Sequence, residues 1–552
     1  MGTVIFWICF GLLILLLVVS GITRSGQIKA ARLKKLRDIF ESASDKSFDT
    51  CGNIKESGLF RHMSSRDPKD FVIDDITASD LMLDEVYARM NRCVTNAGED
   101  HLYSSFRIMK GDPERAAKAF ERISVFMTDK EQAHRLRSIL SVCPKTEDTD
   151  GYALIKSLND APASPLARDI IPLACLAAAF VLTAFSALYG VIAVIVMICV
   201  CIATYFSGRR MMDQNLRGLA LCIRYIDCSQ KLFRADCREF ERYKDLSALK
   251  GAGYVIAMRD ATTSNPLDII LDYVRMITHI DLIVYKISIS GIRTHIDGIL
   301  DLYENIGRLD ADMATASYLQ DRPFCRAVIE DNRGLSAQKI YHPLIKDPVL
   351  NDIDTKKGMI LTGSNASGKS TFLKAVGISA VFAASFGFAF AGSFEMSPFR
   401  LYTSMALSDN LLGGESYYVV EARSIKRICD AASEGNVLCI IDEVLRGTNT
   451  VERIAASSKI LEFLCRPGVL CFAATHDLEL PMLLEDEMDP YYFTEEIDGD
   501  NVVFTYTIHK GISDRTNAIR LLSVLGFDGK ITEGADRIAG MYRQTGKWEN
   551  GK

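Results

Sequence analysis

Charge vanishes from the chain over two long stretches, and the rest of the pattern is arranged around them. Val4–Ile22 (VIFWICFGLLILLLVVSGI) has no charged residue and is about as long as a helix needs to cross a bilayer. Ile170–Phe206 is also uncharged, held between Arg168–Asp169 and Arg209–Arg210. As one helix it would be about 55 Å long at about 1.5 Å per residue, against a hydrocarbon core of about 30 Å. Split near Tyr189–Gly190 it makes two spans of about 18 residues each. Between the two stretches, residues 38–70 are polar. From Phe71 the apolar positions take helical steps, with Leu81, Leu83, Val86, Tyr87 and Met90 mostly three and four apart. Ala116–Phe126 and Ala133–Leu140 continue the helical pattern until Pro162 and Pro165 break it. After the second stretch, Met211 to about Leu319 is helical again, with long apolar periodicity through Ile269–Ile277 and Leu282–Tyr303. Asp321–Asp354 reads as short strands and turns. The remainder, to about Gly540, alternates strand-like and helix-like segments, the signature of an α/β domain.

The flanking charges orient the apolar stretches. Arg24, Lys29, Arg32, Lys34, Lys35 and Arg37 follow the first one, with no acid before Asp38. The positive-inside rule then places the amino terminus outside and the remainder in the cytoplasm. A cleaved signal peptide is the competing reading. Against it, no basic residue precedes the run, the run is long for such a segment, and no small-x-small cleavage site follows. Arginines at both ends of the second stretch keep both flanks on one side, which a hairpin satisfies and a single crossing does not. A buried hairpin in a soluble helical domain is the alternative. Three spans are expected. The 552 residues allow several domains, and a net charge of −6 gives no global basic field. Fifteen cysteines are scattered without paired C-x-x-C spacing, which fits reduced thiols and neither a disulfide framework nor a zinc site.

Three motifs carry chemistry. Met359–Thr371 (MILTGSNASGKST) runs from an apolar strand into a glycine-bearing loop and then a helix, with Gly363-x-x-x-x-Gly368-Lys369-Ser370 fitting the P-loop pattern. The glycines let backbone N–H groups of Gly363, Ser364, Asn365, Ala366, Ser367, Gly368 and Thr371 gather on one polyphosphate, and the following helix offers it a positive end. Lys369 would reach the β- and γ-phosphates and Ser370 would hold Mg²⁺, so ATP with Mg²⁺ is the expected cofactor. Val437–Glu443 (VLCIIDE) is an apolar strand ending in two carboxylates about 70 residues later. Asp442 would bind the metal, and Glu443 would polarise the attacking water. Cys471–Asp477 (CFAATHD) is a second apolar strand ending in His476, which would sense or stabilise the γ-phosphate; a structural histidine is the alternative. Lys369, Glu443 and His476 form the expected catalytic set.

Four segments together resemble the ATPase domain of the MutS mismatch-repair family: GSNASGKST, Asp409–Ile428 (DNLLGGESYYVVEARSIKRI), Ile440–Ser457 (IIDEVLRGTNTVERIAAS) and Phe472–Leu480 (FAATHDLEL). Lys510–Gly526 resembles that domain's closing segment, and Tyr341-His342-Pro343-Leu344 the stretch before its P-loop. The resemblance implies an ABC-type homodimer in which each site is completed by the partner. Gly414 and Ser416 would contact the γ-phosphate in trans and Asn365 in cis, and Arg446–Thr450 would form the loop exchanged across the dimer. Ser364 replaces the family's proline. Val349 stands where many members offer an aromatic to stack on adenine, which puts base recognition in question. Upstream, Ile73–Arg107 resembles the first helices of the family's core domain and Ile299–Gln320 its last; an unrelated helical bundle is the alternative.

The fold class expected is therefore multidomain. An amino-terminal transmembrane helix (1–23) and a basic juxtamembrane linker (24–70) precede a mainly α-helical core-like region in two parts (71–165 and 207–335). A transmembrane helical hairpin (170–206) interrupts that region, and an α/β P-loop ATPase domain (336–552) closes the chain. The family's mismatch-reading domain has no room here. Phe493-Thr494-Glu495, the one triplet resembling its F-x-E wedge, falls inside the ATPase region. The expected protein is a membrane-anchored ATP hydrolase of a bacterial inner membrane, with the ATPase domain cytoplasmic and lipid as a partner. DNA is the first candidate for its other partner, with basic residues in Arg209–Lys250 interleaved with acids. A membrane mechanoenzyme without nucleic acid, in which closure of the dimer moves the hairpin, is the second reading. A scaffold that binds ATP without turnover is a third, disfavoured by the intact Asp442–Glu443 pair.

Overall fold

The computed structural model describes residues 27, 30–42, 57–143, 145, 150–161, 165–251, 266–331, 334–364, 367–405, 417–446, 448–498, 501–512, 519, 522–523 and 526–545. The expected first span, Val4–Ile22, lies outside the described residues. Two compact units emerge, each assembled from separate stretches of chain: 1–66, 90–104 and 123–320 in one, and 67–89, 105–122 and 321–552 in the other.

The first unit is helical. Its two most apolar helices are α1 (Ala167–Phe185) and α2 (Ala187–Arg234). The break between them falls at Ser186, whose backbone is extended (φ −153°, ψ 106°), rather than at Tyr189–Gly190. Gly190 serves a different purpose, since a Cβ there would lie 2.4 Å from the Thr183 Cα. Its missing side chain lets the two helices close up beside the turn. The second helix also does not stop at Phe206. It runs unbroken for 48 residues, about 70 Å at about 1.5 Å per residue, because the polar residues after Phe206 are as helix-compatible as the apolar ones before it. Both helices are long and apolar enough to cross a membrane, and only 22% and 11% of their most apolar windows are buried. Phe180, Phe185, Leu188, Ile192 and Ile195 are all exposed.

Below the hairpin, α3 (Pro266–Thr278), α4 (Ile280–Thr294) and α5 (Ile296–Leu319) complete the helical unit. Helix α5 packs backbone against backbone on the helix that begins at Asn96. A Cβ on Gly307 would meet the Ala97 carbonyl oxygen at 2.3 Å, and one on Gly98 would meet Asp310 Oδ2 at 2.3 Å. Fully buried Asp310 accepts from Val94 N at 2.9 Å, Thr95 N at 2.8 Å and Thr95 Oγ1 at 2.8 Å. The two segments resembling the start and end of a core domain are thus joined by three hydrogen bonds to one carboxylate.

The second unit is built on two large sheets, besides a two-stranded pairing of Phe71–Val72 with Ile108–Met109. Five strands, β1 (Cys325–Ile329), β2 (Leu335–Ile340), β3 (Asn351–Thr355), β5 (Phe388–Ala389) and β6 (Ser393–Met396), form one in the order β3-β2-β6-β1-β5. The other contains β4 (Met359–Thr362), β7 (Arg400–Ser404), β8 (Val437–Asp442), β9 (Val469–Ala474), β10 (Asp489–Asp498) and β11 (Asn501–Lys510), in the order β11-β10-β4-β9-β8-β7. Every pair but the edge hairpin β10–β11 is parallel. Strands β4, β8 and β9 are buried at every position, the continuous apolar pattern of strands covered on both faces. Helices α6 (Lys369–Phe386), α7 (Tyr417–Ala432) and α8 (Thr450–Leu464) connect them. Early chain joins this unit as well. Phe106 packs edge-on against Phe382 of α6 at 5.0 Å between ring centres, and Asp80 accepts from Thr403 Oγ1 at 2.7 Å.

The Gly98–Asp310 contact makes a direct stability test. Gly98→Ala forces the carboxylate away from its donors and is expected to cost about 2–3 kcal/mol, the scale of overpacking together with lost buried hydrogen bonds. Gly540→Ala, on a helix with open space around the added methyl, should leave the thermal midpoint of the detergent-solubilised protein unchanged or slightly raised. Equal midpoints for Gly98→Ala and the parent chain would remove the argument.

Candidate functional site

The site grows from the carboxyl ends of β4, β8 and β9. Strand β4 leads into loop 363–368, where Gly363 (φ +143°) and Gly368 (φ +105°) adopt backbone conformations that side chains resist. A Cβ on Gly363 would also lie 2.9 Å from Ser367 Oγ and 3.0 Å from the Phe493 carbonyl oxygen. Ser367 Oγ donates to the Ser364 carbonyl at 2.7 Å, closing the loop on itself. Helix α6 starts at Lys369. The buried Lys369 ammonium donates to the carbonyls of Gly363 (2.7 Å) and Ser364 (2.9 Å). Burial pulls its pKa below the ordinary lysine value, and nearby Asp442 and Glu443 pull the other way.

One residue further along α6, Ser370 Oγ donates to Asp442 Oδ2 at 2.5 Å, although the two are 72 residues apart. A hydroxyl and a carboxylate oxygen side by side are hard donors suited to Mg²⁺. Glu443 follows with φ +65°, an unusual conformation for a residue with a side chain. Its N–H donates to the Ala474 carbonyl at 2.9 Å. Its carboxylate is held on one oxygen by His476 Nε2 and on the other by Arg446 Nε at 2.7 Å. Burial alone would raise the Glu443 pKa; the His476 hydrogen bond and charge, with Arg446 and Lys369, outweigh it and hold the carboxyl below the ordinary range. His476 Nδ1 lies 3.1 Å from the Gly363 carbonyl, so this imidazole links the loop to the second carboxylate.

Lys369, Ser370, Asp442, Glu443 and His476 therefore form one cluster, as the motif spacing predicts. Gly363, Ser364, Ser367, Gly368 and Thr371 surround it. Asn365, Ala366, Gly414 and Ser416 lie outside the described residues. Within the segment expected to be exchanged between subunits, Arg446 is tied to its own chain: its backbone N donates to Glu421 Oε1 at 3.1 Å and its guanidinium to the Asp442 carbonyl at 2.9 Å. Asn449 caps α8 through Val451 N, and Arg453 pairs in bidentate fashion with Asp477 at 3.0 and 2.6 Å.

Comparison with known proteins covers this same region. The family description of MutS domain V matches residues 359–542. The DNA mismatch repair protein MutS of Thermotoga maritima is 28% identical over 281 residues, which is 49% of this chain and 35% of the relative. The MutS protein of Fusobacterium nucleatum is 29% identical over 269 residues, 46% of this chain and 30% of the relative. That of Streptococcus pyogenes is 24% identical over 319 residues, 55% and 36% of the two chains. The domain V match and these relatives support membership of the MutS family. It spans about a third of the length of these relatives.

Beside the loop lies a feature that the motifs do not reveal. A cavity of about 390 Å³ opens beside Gly368 and Thr371, lined by Tyr341, His342, Val349, Phe372, Phe493 and Tyr506. Val349 lines it, as does Tyr506 from β11, whose Cδ1 lies 3.1 Å from where a Gly368 Cβ would sit. Asn351 holds that stretch of strand, donating to the Tyr506 carbonyl at 3.0 Å and accepting from Ile508 N at 2.8 Å. Burial, with Lys374 and Arg89 adding to it, lowers the His342 pKa to about 4, so its ring is neutral at physiological pH. The alternating pattern of β11 marks Tyr506 as a strand residue, but only the pairing of β10 with β4 carries it to the loop. Phe493-Thr494-Glu495 is a stretch of β10; Phe493 lines the cavity and Glu495 accepts from Ser364 Oγ at 3.3 Å.

The depressed Glu443 pKa makes a stability prediction with a definite sign. A carboxylate held below its unfolded-state pKa stabilises the fold above that unfolded value, and the contribution is lost as pH falls through the folded one. Glu443→Gln should therefore melt below the parent chain at neutral pH, with the gap closing as the pH drops beneath the ordinary carboxylate range. A gap that is constant from neutral to acid pH would contradict the assignment.

Proposed function

We propose that the chain is a Mg²⁺-dependent ATP hydrolase that works as a homodimer and is held at a membrane by the α1–α2 hairpin. The observation that carries the hydrolase reading is the meeting of Ser370 with Asp442 within the cluster of Lys369, Glu443 and His476. Lys369 exchanges the Gly363 and Ser364 carbonyls for phosphate oxygens, and the loop N–H groups and the start of α6 bind the same anion. Ser370 and Asp442 hold Mg²⁺, directly or through water. The bound metal supplies charge neutralisation on the phosphates. Glu443, kept ionised by His476 and Arg446, orients a water and accepts its proton. His476 positions that carboxylate against the loop. The cavity beside Gly368 takes the base, with Tyr506 offering a stacking face. Gly414 and Ser416 complete the partner's site.

Exposure of the α1–α2 hairpin along two apolar, membrane-length helices supports the membrane reading, with arginines at the base facing the cytoplasm of a bacterial inner membrane. The relatives are named as DNA mismatch repair proteins, and DNA is accordingly the first partner proposed for this chain. The unbroken run of α2 favours a second reading. A single helix leading from the exposed apolar hairpin into the helical unit is suited to carrying nucleotide-driven motion to the hairpin, with no nucleic acid involved.

The test is the ATPase rate of the detergent-purified protein with and without duplex, mismatched and branched DNA, at low and moderate salt. Lys369→Ala should abolish turnover. Glu443→Gln should slow it about 10²–10³-fold, the range of a lost general base, while retaining ATP; hydrolysis at the parental rate would remove Glu443 from its role. Stimulation by DNA that weakens steeply with salt supports the nucleic-acid reading. A rate indifferent to every DNA but altered by deleting the hairpin favours the second.

A further inference from the structure

We infer that α3 is a third lipid-contacting element, a short amphipathic helix seated at the headgroup boundary of the bilayer beside the hairpin. This rests on the membrane reading of the hairpin above. Helix α3 has 13 residues, about 20 Å at about 1.5 Å per residue, too short to cross a hydrocarbon core of about 30 Å. It packs against α2, and its depth is set by the residue that follows it. His279, fully buried with φ +51°, lies between α3 and α4. Its Nε2 is 2.8 Å from the Cys201 carbonyl oxygen of α2, and its Nδ1 is 3.3 Å from Asp169 Oδ1 of α1. Lys286 of α4 pairs with the other oxygen of Asp169 and donates to the Pro165 carbonyl at 2.9 Å. Asp169 is the last charged residue before the uncharged stretch, so the α3–α4 junction is pinned at the edge of the apolar hairpin.

The two sides of α3 differ as an interfacial helix requires. Asp272 and Arg275 form an ion pair at 3.4 Å. Tyr273 and Val274, at about the opposite side at about 100° per residue, are 58% and 47% exposed. Ile280 at the start of α4 and Phe206 on α2 are exposed too, so the apolar surface continues from the hairpin across the junction. Tyrosine is a residue favoured at the membrane–water boundary, and a helix with one apolar and one charged side lies in that plane. A bilayer covers this surface continuously with the hairpin, while the Asp272–Arg275 pair, whose side chains are 35% and 16% exposed, is turned toward the helical unit.

The test uses the full chain with its two tryptophans replaced (Trp7→Phe, Trp548→Phe) and a single tryptophan introduced by Tyr273→Trp. The protein is reconstituted in vesicles of phosphatidylcholine and phosphatidylglycerol in which part of the phosphatidylcholine is brominated. Ile192→Trp reports the hairpin and Phe463→Trp an aqueous surface. The expected result is about twofold quenching at position 273, stronger with bromine near the top of the acyl chain than near its end, with position 463 unquenched. Quenching at 192 without quenching at 273 overturns the inference and leaves the hairpin reading standing. No quenching at either position overturns both.

Discussion

The register of three parallel strands is the constraint on which the site depends. Ala474 of β9 stands opposite Leu361 of β4 on one side and Asp442 of β8 on the other. The glycine loop, the acidic pair and the histidine therefore leave the sheet at one height. Two further bonds extend the pairing past the strand ends: Thr475 N to the Leu361 carbonyl at 2.9 Å, and Glu443 N to the Ala474 carbonyl at 2.9 Å. A slip of one residue would turn Asp442 to the other face of the sheet and separate it from Ser370. Such a slip is resisted by the burial of β4, β8 and β9 on both faces, where displaced side chains find no room. Open parallel sheets place ligands outside the carboxyl ends of their strands for the same reason.

The polar groups at these strand ends are costly to bury and are arranged to satisfy one another. Lys369 has no ion pair of its own among the described residues and is held by two carbonyls, a neutral arrangement that phosphate oxygens can replace. Glu443 sits in a backbone conformation that costs on the order of 1 kcal/mol or more for a side-chain-bearing residue. Its N–H bond to Ala474 and its contacts with His476 and Arg446 compensate. A strained carboxylate fixed on both oxygens has its orientation set by the fold. Arg446 contributes to this and binds the Asp442 carbonyl as well, so any rearrangement of the segment after β8 alters the Glu443 environment.

In the helical unit the organising feature is continuity. Helix α2 passes from the exposed apolar hairpin into residues buried in the unit, such as Leu219, Cys222 and Ile226, without a break in its hydrogen bonding. The bond network of Asp169, His279 and Lys286 joins α1, α2 and α4 at the hairpin's base. The proposed function and the lipid-contacting role of α3 both rest on this geometry: a long helix cannot turn at one end without turning at the other, and a short helix pinned beside it shares its depth.

The loop, the acidic pair and His476 are legible in the amino-acid sequence by itself. Each follows an apolar strand, and the local pattern of strand, glycine and helix is enough to mark them. The apolar hairpin is legible from its lack of charge. What the sequence does not place is anything set by distant pairing. The break at Ser186 instead of Tyr189–Gly190 depends on how closely two helices pack at Gly190. Tyr506 reaches the cavity beside Gly368, far from it along the chain, because β10 pairs with β4. His279 meets Asp169 for a similar reason. Local propensity and hydrophobic period are properties of neighbours in sequence and determine which elements form; register and helix contact are properties of neighbours in space, and only the folded chain decides them.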